Sequence, residues 1–244
     1  MVTVEPDLNE RGINRGLSPF IRSFVRRQGR LTPAQQRALT TAWRAYGVEV
    51  GVTPLDFTVL FGRQAPLVLE IGFGDGQALV TMASSNPRED YLGLEVYRPG
   101  IGHLLLRAEA MKLPNIRIIC ADAVEVLQQQ IRDECLDRIQ IFFPDPWPKR
   151  RHRKRRLLQA PFVSLLVQKL KVKGQLHIAT DCADYAGSIL AVLSATPGLI
   201  NQASNGGFMP RSQQRPVTKF EERGLRLGHP IWELLFARSR DEKD

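Results

Sequence analysis

From Leu67 onward the chain alternates short apolar runs with stretches whose apolar residues recur at helical spacing. Leu67–Ile71, Tyr91–Glu95, Ile116–Cys120, Ile139–Phe143 and Gln175–Thr180 read as buried strands, and Ile231–Ala237 as a closing strand. Between them Ala78–Ser85, the stripe Ile101, Leu104, Leu105, Ala108 and Met111, a segment from Ala123 to Ile131, and Tyr185–Leu193 read as helices. Leu158, Phe162, Leu165, Leu166 and Leu170 mark a further helix, with Pro161 acceptable only in its first turn. Upstream, Thr32-Pro33-Ala34-Gln35 supplies an N-cap, a first-turn proline and a capping-box partner, followed by Leu39, Ala42, Trp43 and Tyr46 at helical spacing. Residues 1–31 are rich in Gly, Ser, Asn and Arg with weak periodicity, which predicts a flexible basic arm ahead of a single domain over 32–244.

Strands that are apolar almost throughout need cover on both faces, and strand–helix alternation supplies it. The pattern predicts an α/β fold with a mostly parallel, doubly wound sheet and helices on both faces. In such sheets ligands bind beyond the carboxyl ends of the strands, so residues just after each strand are the first candidates for chemistry.

Those positions carry acids and glycines. Glu70-Ile71-Gly72-Phe73-Gly74-Asp75-Gly76 follows the first strand, Glu95 ends the second, and Asp122 comes just after the third. A glycine loop alone says little, since tight strand-to-helix turns use glycine anyway. Glu95 has the spacing of a carboxylate that grips ribose hydroxyls. Asp122 suits an adenine edge or, equally, an N-cap. A dinucleotide fingerprint would need its third glycine at Gln77, and Glu70 and Asp75 would repel a pyrophosphate. A cosubstrate bearing an ammonium and a sulfonium, S-adenosylmethionine, matches these charges better than NAD.

Charge narrows the picture further. The formal net charge is +9, and seven positive side chains lie in one stretch, Lys149, Arg150, Arg151, Arg153, Lys154, Arg155 and Arg156, with His152 among them. A second cluster, Arg11, Arg15, Arg22, Arg26, Arg27 and Arg30, has no acid between its ends. Concentrated basicity of this kind points to a nucleic-acid partner. Directly before the main run stands Phe143-Pro144-Asp145-Pro146-Trp147-Pro148, a carboxylate in a proline-stiffened loop, which places a candidate reactive group beside a polyanion-binding surface. Trp147 stacks on a base or packs beneath the loop; both readings stand.

Cys120, Cys135 and Cys182 are odd in number and widely spaced, which argues against a disulfide framework. No paired zinc spacing links the four histidines, so no metal is expected. Without a signal-like start or a membrane-length apolar run, a cytoplasmic protein is expected, with no membrane association and no evident obligate protein partner.

Four segments are similar to the bacterial tRNA (guanine-N7)-methyltransferases: Ser23–Arg30, Leu69–Gly74, Phe143–Lys149 and Thr218–Gly224. The last two carry the resemblance most specifically. Tyr97 departs from it, since the family commonly shows His after the Glu-Val pair. The resemblance implies a Rossmann-like, seven-stranded class I methyltransferase. It implies methyl transfer from S-adenosylmethionine to N7 of the variable-loop guanosine at tRNA position 46. It further implies that Glu70, Gly72, Gly74, Glu95, Asp122 and Asp145 line the cosubstrate site, with Asp145 also the active-site residue. Lys149, Asp181, Thr218, Lys219, Phe220 and Glu221 would contact substrate. Arg151, His152, Arg153, Lys154, Arg155 and Arg156, with Arg26, Arg27 and Arg30 of the arm, would bind RNA.

Other readings of the same residues remain. Asp181 suits an N-cap for the helix through Tyr185, and Thr218-x-x-Glu221 is a capping box. Guanine N7 holds an in-plane lone pair and no proton, which makes Asp145 an orienting and electrostatic group before a general base. The competing classes are an NAD-dependent oxidoreductase on the same scaffold and a non-catalytic RNA-binding protein.

Overall fold

The computed structural model describes residues 29–213 and 215–240; the expected arm up to residue 28, with Arg26 and Arg27, lies outside them, as do the side chains of Lys219 and Phe220. The seven strands are β1 (Leu67–Ile71), β2 (Asp90–Leu94), β3 (Ile116–Ile119), β4 (Leu136–Phe142), β5 (Leu170–Thr180), β6 (Leu199–Asn201) and β7 (Trp232–Arg238). They form one sheet in the order β3-β2-β1-β4-β5-β7-β6. β1 to β5 pair in parallel, and β7 inserts antiparallel between β5 and β6. The order reverses between β1 and β4, so the crevice above their carboxyl ends is the place where this topology leaves room for a ligand.

Strand alternation divides the core in two. Leu67, Leu69 and Ile71 of β1, Ile139 and Ile141 of β4, and Leu176 and Ile178 of β5 face one layer. That layer is covered by α6 (Ala123–Gln129), α7 (Ala160–Lys169) and α8 (Ala183–Ala195). Val68, Phe142 and Ala179 face the other, beneath α1 (Pro33–Thr41), α2 (Trp43–Tyr46), α4 (Gln77–Ser85) and α5 (Arg98–Ala110). Both faces are thus buried, which is what the apolar strands required. The capping box at Thr32 forms, with the Gln35 backbone N–H donating to Thr32 Oγ1 at 3.2 Å and the Thr32 backbone N–H to Gln35 Oε1 at 2.7 Å. Gln35 Nε2 then donates to the Pro99 carbonyl at 3.1 Å and fastens α1 to α5.

Departures from the sequence pattern have local causes. Leu170 ends no helix: α7 stops at Lys169, Leu170 is extended, and β5 begins there. Leu170 lies at the same spacing as a helical core residue, so periodicity could not separate the two. The helix expected through Tyr46 is interrupted at Ala42. β6 and the five-residue α3 (Phe57–Phe61), capped by Asp56, are too short for a period to show. α9 (Lys219–Arg226) begins at Thr218, as its capping signal indicated.

Candidate active site

The glycine loop between β1 and α4 turns through left-handed backbone at Gly72, Gly74 and Gly76. At Gly76 a side chain would also lie 2.5 Å from Leu104, so the turn and the packing of α4 on α5 both exclude one. Glu95, just past β2, closes this loop from the side. Its Oε2 accepts from the Gly74 N–H at 2.8 Å, and its Oε1 from the Val96 and Tyr97 N–H groups at 2.7 and 3.0 Å. Gly72 donates to the Leu94 carbonyl at 2.8 Å. The second strand end therefore shapes the first.

Glu70 lies inside β1, hydrogen-bonded in register between Gly93 and Gln140, with only 2% of its surface exposed. Among the described residues its Oε2 has no hydrogen-bond partner. Burial, with the neighbouring charge of Glu95, pushes its carboxyl up to about 8. Glu95 is pushed up as well, first by burial, with Asp145 adding to it against the three backbone hydrogen bonds. Three carboxyl groups from β1 and from just past β2 and β4 thus share one electrostatic neighbourhood, and among the described residues no basic side chain offsets the charge of Glu70 or Glu95. A buried carboxyl with an orphaned oxygen fits a cationic ligand. Asp122 caps α6, its Oδ1 accepting from the Val124 N–H at 2.9 Å.

Asp145 is exposed at the mouth of the same crevice. The Pro144-Asp145-Pro146 frame is bracketed by Phe143 and Trp147, both non-glycine residues in left-handed backbone, with φ of 52° and 43°. Such residues persist only where their surroundings hold them. Trp147 is held by the basic segment itself, a 3₁₀ helix over Arg150–Arg155. The His152 ring meets the indole edge-on at 5.9 Å, and the Arg155 guanidinium lies 5.1 Å from its centroid. The half-buried indole is therefore in contact with the basic residues that follow it.

Arg156 does not extend that exposed run. It is 5% exposed, its Nε donates to the Pro146 carbonyl at 2.9 Å and its Nη1 to Ser188 Oγ at 3.0 Å. Its guanidinium also pairs with Asp184 and lies 4.7 Å from the Tyr185 ring centroid. Beside Arg156, the Asp184 carboxyl is held below the usual carboxylate range. Arg156 fastens the loop to α8. Arg153 pairs with the same Asp184 at 3.0 Å, whereas Lys149, Arg150, Arg151 and Lys154 stand exposed along the 3₁₀ helix.

Over residues 64–234 the chain matches the protein-family profile described as "Putative methyltransferase". It is 54% identical, over 98% of both chains, to the tRNA (guanine-N(7)-)-methyltransferase of Yersinia enterocolitica. It is 52% identical, again over 98% of both, to that of Serratia proteamaculans. The chain belongs to the tRNA (guanine-N(7)-)-methyltransferase family. Its fold is that of S-adenosylmethionine-dependent methyltransferases. The 16S rRNA methyltransferase KamB superposes with a TM-score of 0.56 at 14% identity, covering 75% of this chain and 92% of its own. The 16S rRNA (adenine(1408)-N(1))-methyltransferase of Catenulisporales acidiphilia, solved as a W203A mutant with cosubstrate SAM, does so at 0.52 and 15% identity, covering 79% and 95%.

In this family member the other expected substrate contacts separate into two groups. Asp181 follows β5 and is about one-third exposed, with Gly224 of α9 packed against its Cβ and His229 Nδ1 at 3.9 Å. It does not cap α8, whose N-cap is Cys182. Thr218 caps α9, its Oγ1 accepting from the Glu221 N–H at 3.1 Å. Glu221, by contrast, is 0% exposed and lies in a buried ion network. Its Oε2 takes Arg215 Nη1 at 2.6 Å, and its Oε1 takes Arg215 Nη2 at 3.1 Å and Arg211 Nε at 2.6 Å. Burial pushes this carboxyl up, but the two arginines outweigh it and hold it below its ordinary value. The sequence reading missed Arg215 altogether.

Proposed function

We propose that this chain methylates tRNA, transferring a methyl group from S-adenosylmethionine to N7 of the variable-loop guanosine at position 46, as one methyltransferase domain with a basic arm. The observation that carries the reading is Glu70. A buried carboxyl at the switch point, with one oxygen unpartnered among the described residues, beside Glu95 and with Asp145 next in turn, suits a cationic donor and opposes an anionic one such as NAD.

Glu70 and the Gly72 and Gly74 turn would hold the amino-acid end of the cosubstrate, Glu95 its ribose hydroxyls, and Asp122 its adenine. The bound cosubstrate supplies an electrophilic methyl carbon. Guanine N7 needs no deprotonation, so the protein's work is to bring its lone pair into line with that carbon. Asp145 would orient the base, bonding its N1–H and N2–H₂ edge, and its charge would stabilise the positive charge that develops on the purine. Asp181 and Thr218, with Lys219 and Phe220, would line the guanine side. Lys149, Arg150, Arg151, Arg153 and Lys154, with His152 and Arg155 of the same segment and with Arg30, would take the RNA backbone. These phosphate contacts set register rather than sequence. The base itself must leave its stack to reach Asp145.

The test is incubation of unmodified tRNA with the protein and S-adenosylmethionine, followed by mass spectrometry of nucleosides and mapping of the modified position. The expected product is 7-methylguanosine at position 46. Binding of tRNA without product would leave a non-catalytic RNA-binding protein, and product at another position would remove the site assignment.

A further inference from the structure

Arg215 is 1% exposed, among the largest fully buried side chains in the molecule, and lies in the loop just ahead of α9. One guanidinium touches both the strand end that launches the Asp145 loop and the helix that Thr218 caps. Its Nη1 and Nη2 fork onto Glu221, the residue whose own N–H is fixed by Thr218. Its Nη2 also reaches Glu233 Oε2 in β7 at 3.2 Å. Its plane lies 5.5 Å from the Phe142 ring centroid and 5.6 Å from that of Phe143. Phe143 is the left-handed residue that launches Pro144-Asp145-Pro146.

The contacts close on themselves. The Phe142 ring meets His177 edge-on at 5.1 Å, His177 Nε2 is 2.6 Å from Glu233 Oε1, and Glu233 returns to Arg215. Burial weakens the guanidinium's hold on its proton, and the two carboxylates more than offset this, so the cation is locked in its charged form. A planar, five-donor fork can serve two carboxylates and two rings at once, which an ammonium cannot do.

We infer that Arg215 is a positioning residue for methyl transfer. It fixes the distance and angle between the Asp145 loop and the Thr218–Glu221 turn, so that the guanine meets both in one geometry. On this view Glu221 acts through Arg215 rather than on the substrate. The inference rests on the proposed reading of Asp145 and Thr218 as guanine contacts. Misplacing reacting groups by an ångström costs turnover far more than binding.

Two variants test it, each with three readouts: affinity for S-adenosylmethionine, affinity for tRNA, and the single-turnover rate of 7-methylguanosine formation. Arg215→Lys keeps the charge and loses the fork. It should bind both ligands within about threefold of wild type and lose about a hundredfold in rate. Arg215→Ala opens onto a neighbouring cavity of about 300 Å³ lined by Gln140, His177, Arg211 and Glu233. Free guanidinium at non-denaturing concentration should therefore raise its rate and leave wild type unchanged. If the alanine variant does not fold, the lysine variant decides alone. A lysine variant that turns over within about threefold of wild type, or that loses ligand affinity in step with rate, overturns the inference. Absence of product from wild type would instead sink the proposed reaction, whatever the variants do.

Discussion

Two pairs of glutamates, all buried except the half-buried Glu95, sit on one face of the same sheet and are treated in opposite ways. Glu70 and Glu95 meet at the β1–β2 edge of the crevice, with no basic side chain among the described residues acting on either and both carboxyls pushed up. Glu221 and Glu233 meet beyond β4 and β5, clasped by Arg215, Arg211 and His177. Burial raises both carboxyls there, and the cations bring both below their ordinary values. Burial is common to the two pairs, so it does not decide the charge state. The cation does. In one pair it is part of the protein; in the other we propose that the cosubstrate brings it.

The comparison is broken most directly by removing one acid from each pair. Glu221→Leu leaves buried cations short of a partner and should lower stability by about 3–5 kcal/mol in urea unfolding. Glu70→Gln should show no such loss without ligand, because the wild-type group is already uncompensated. A loss at Glu70 as large as at Glu221 would mean that a partner for Glu70 has been overlooked.

Next in size is binding. Glu70→Gln should weaken S-adenosylmethionine by about 1.5–3 kcal/mol, the worth of a hydrogen bond to a charged group, in equilibrium dialysis. Unchanged affinity would take Glu70 out of the cosubstrate site.

The pairs should also differ in sign against pH. Glu70 has a raised folded value, so the folded state holds its proton longer than the unfolded chain. Relative to Glu70→Gln, wild type should lose stability as pH rises from 4.5 toward about 8, by at most about 1.4 kcal/mol per pH unit. Glu221 and Glu233 are depressed, so their contribution is complete above the ordinary carboxyl range and disappears as pH falls through their folded values. Unfolding curves of wild type, Glu70→Gln and Glu221→Gln across pH 3 to 8.5 would display the two slopes. Parallel slopes would erase the distinction.

The smallest effect sharpens one residue. Thr218→Ala removes the α9 cap and should cost about 1 kcal/mol of stability. A rate loss well beyond the roughly fivefold that this energy represents would mark Thr218 as a substrate contact as well as a cap.

The sheet was legible because buried strands and amphipathic helices leave strong periods, and the places of Glu70, Glu95, Asp122 and Asp145 at or just past strand ends were legible for the same reason. Asp122 forms the cap that its sequence position also offered. Arg215 carried no such signal. It sits in a loop without period, and its partners are 6 and 18 residues away along the chain, with His177 beyond them across the sheet. Arg156 was hidden differently. In a row of like residues nothing local separates the one that turns inward from those that face water; only the position of Asp184 and Tyr185 on α8 does.

That inward turn alters how the basic segment behaves toward salt. Polycations grip nucleic acid by expelling condensed counterions, and only side chains that reach phosphate expel them. Arg156 is already buried against Pro146 and α8, and Arg153 shares Asp184 with it. The affinity of this segment should therefore fall with ionic strength less steeply than its seven charges suggest. What it gives up in grip it returns as a fixed placement of the segment against Pro146 and α8.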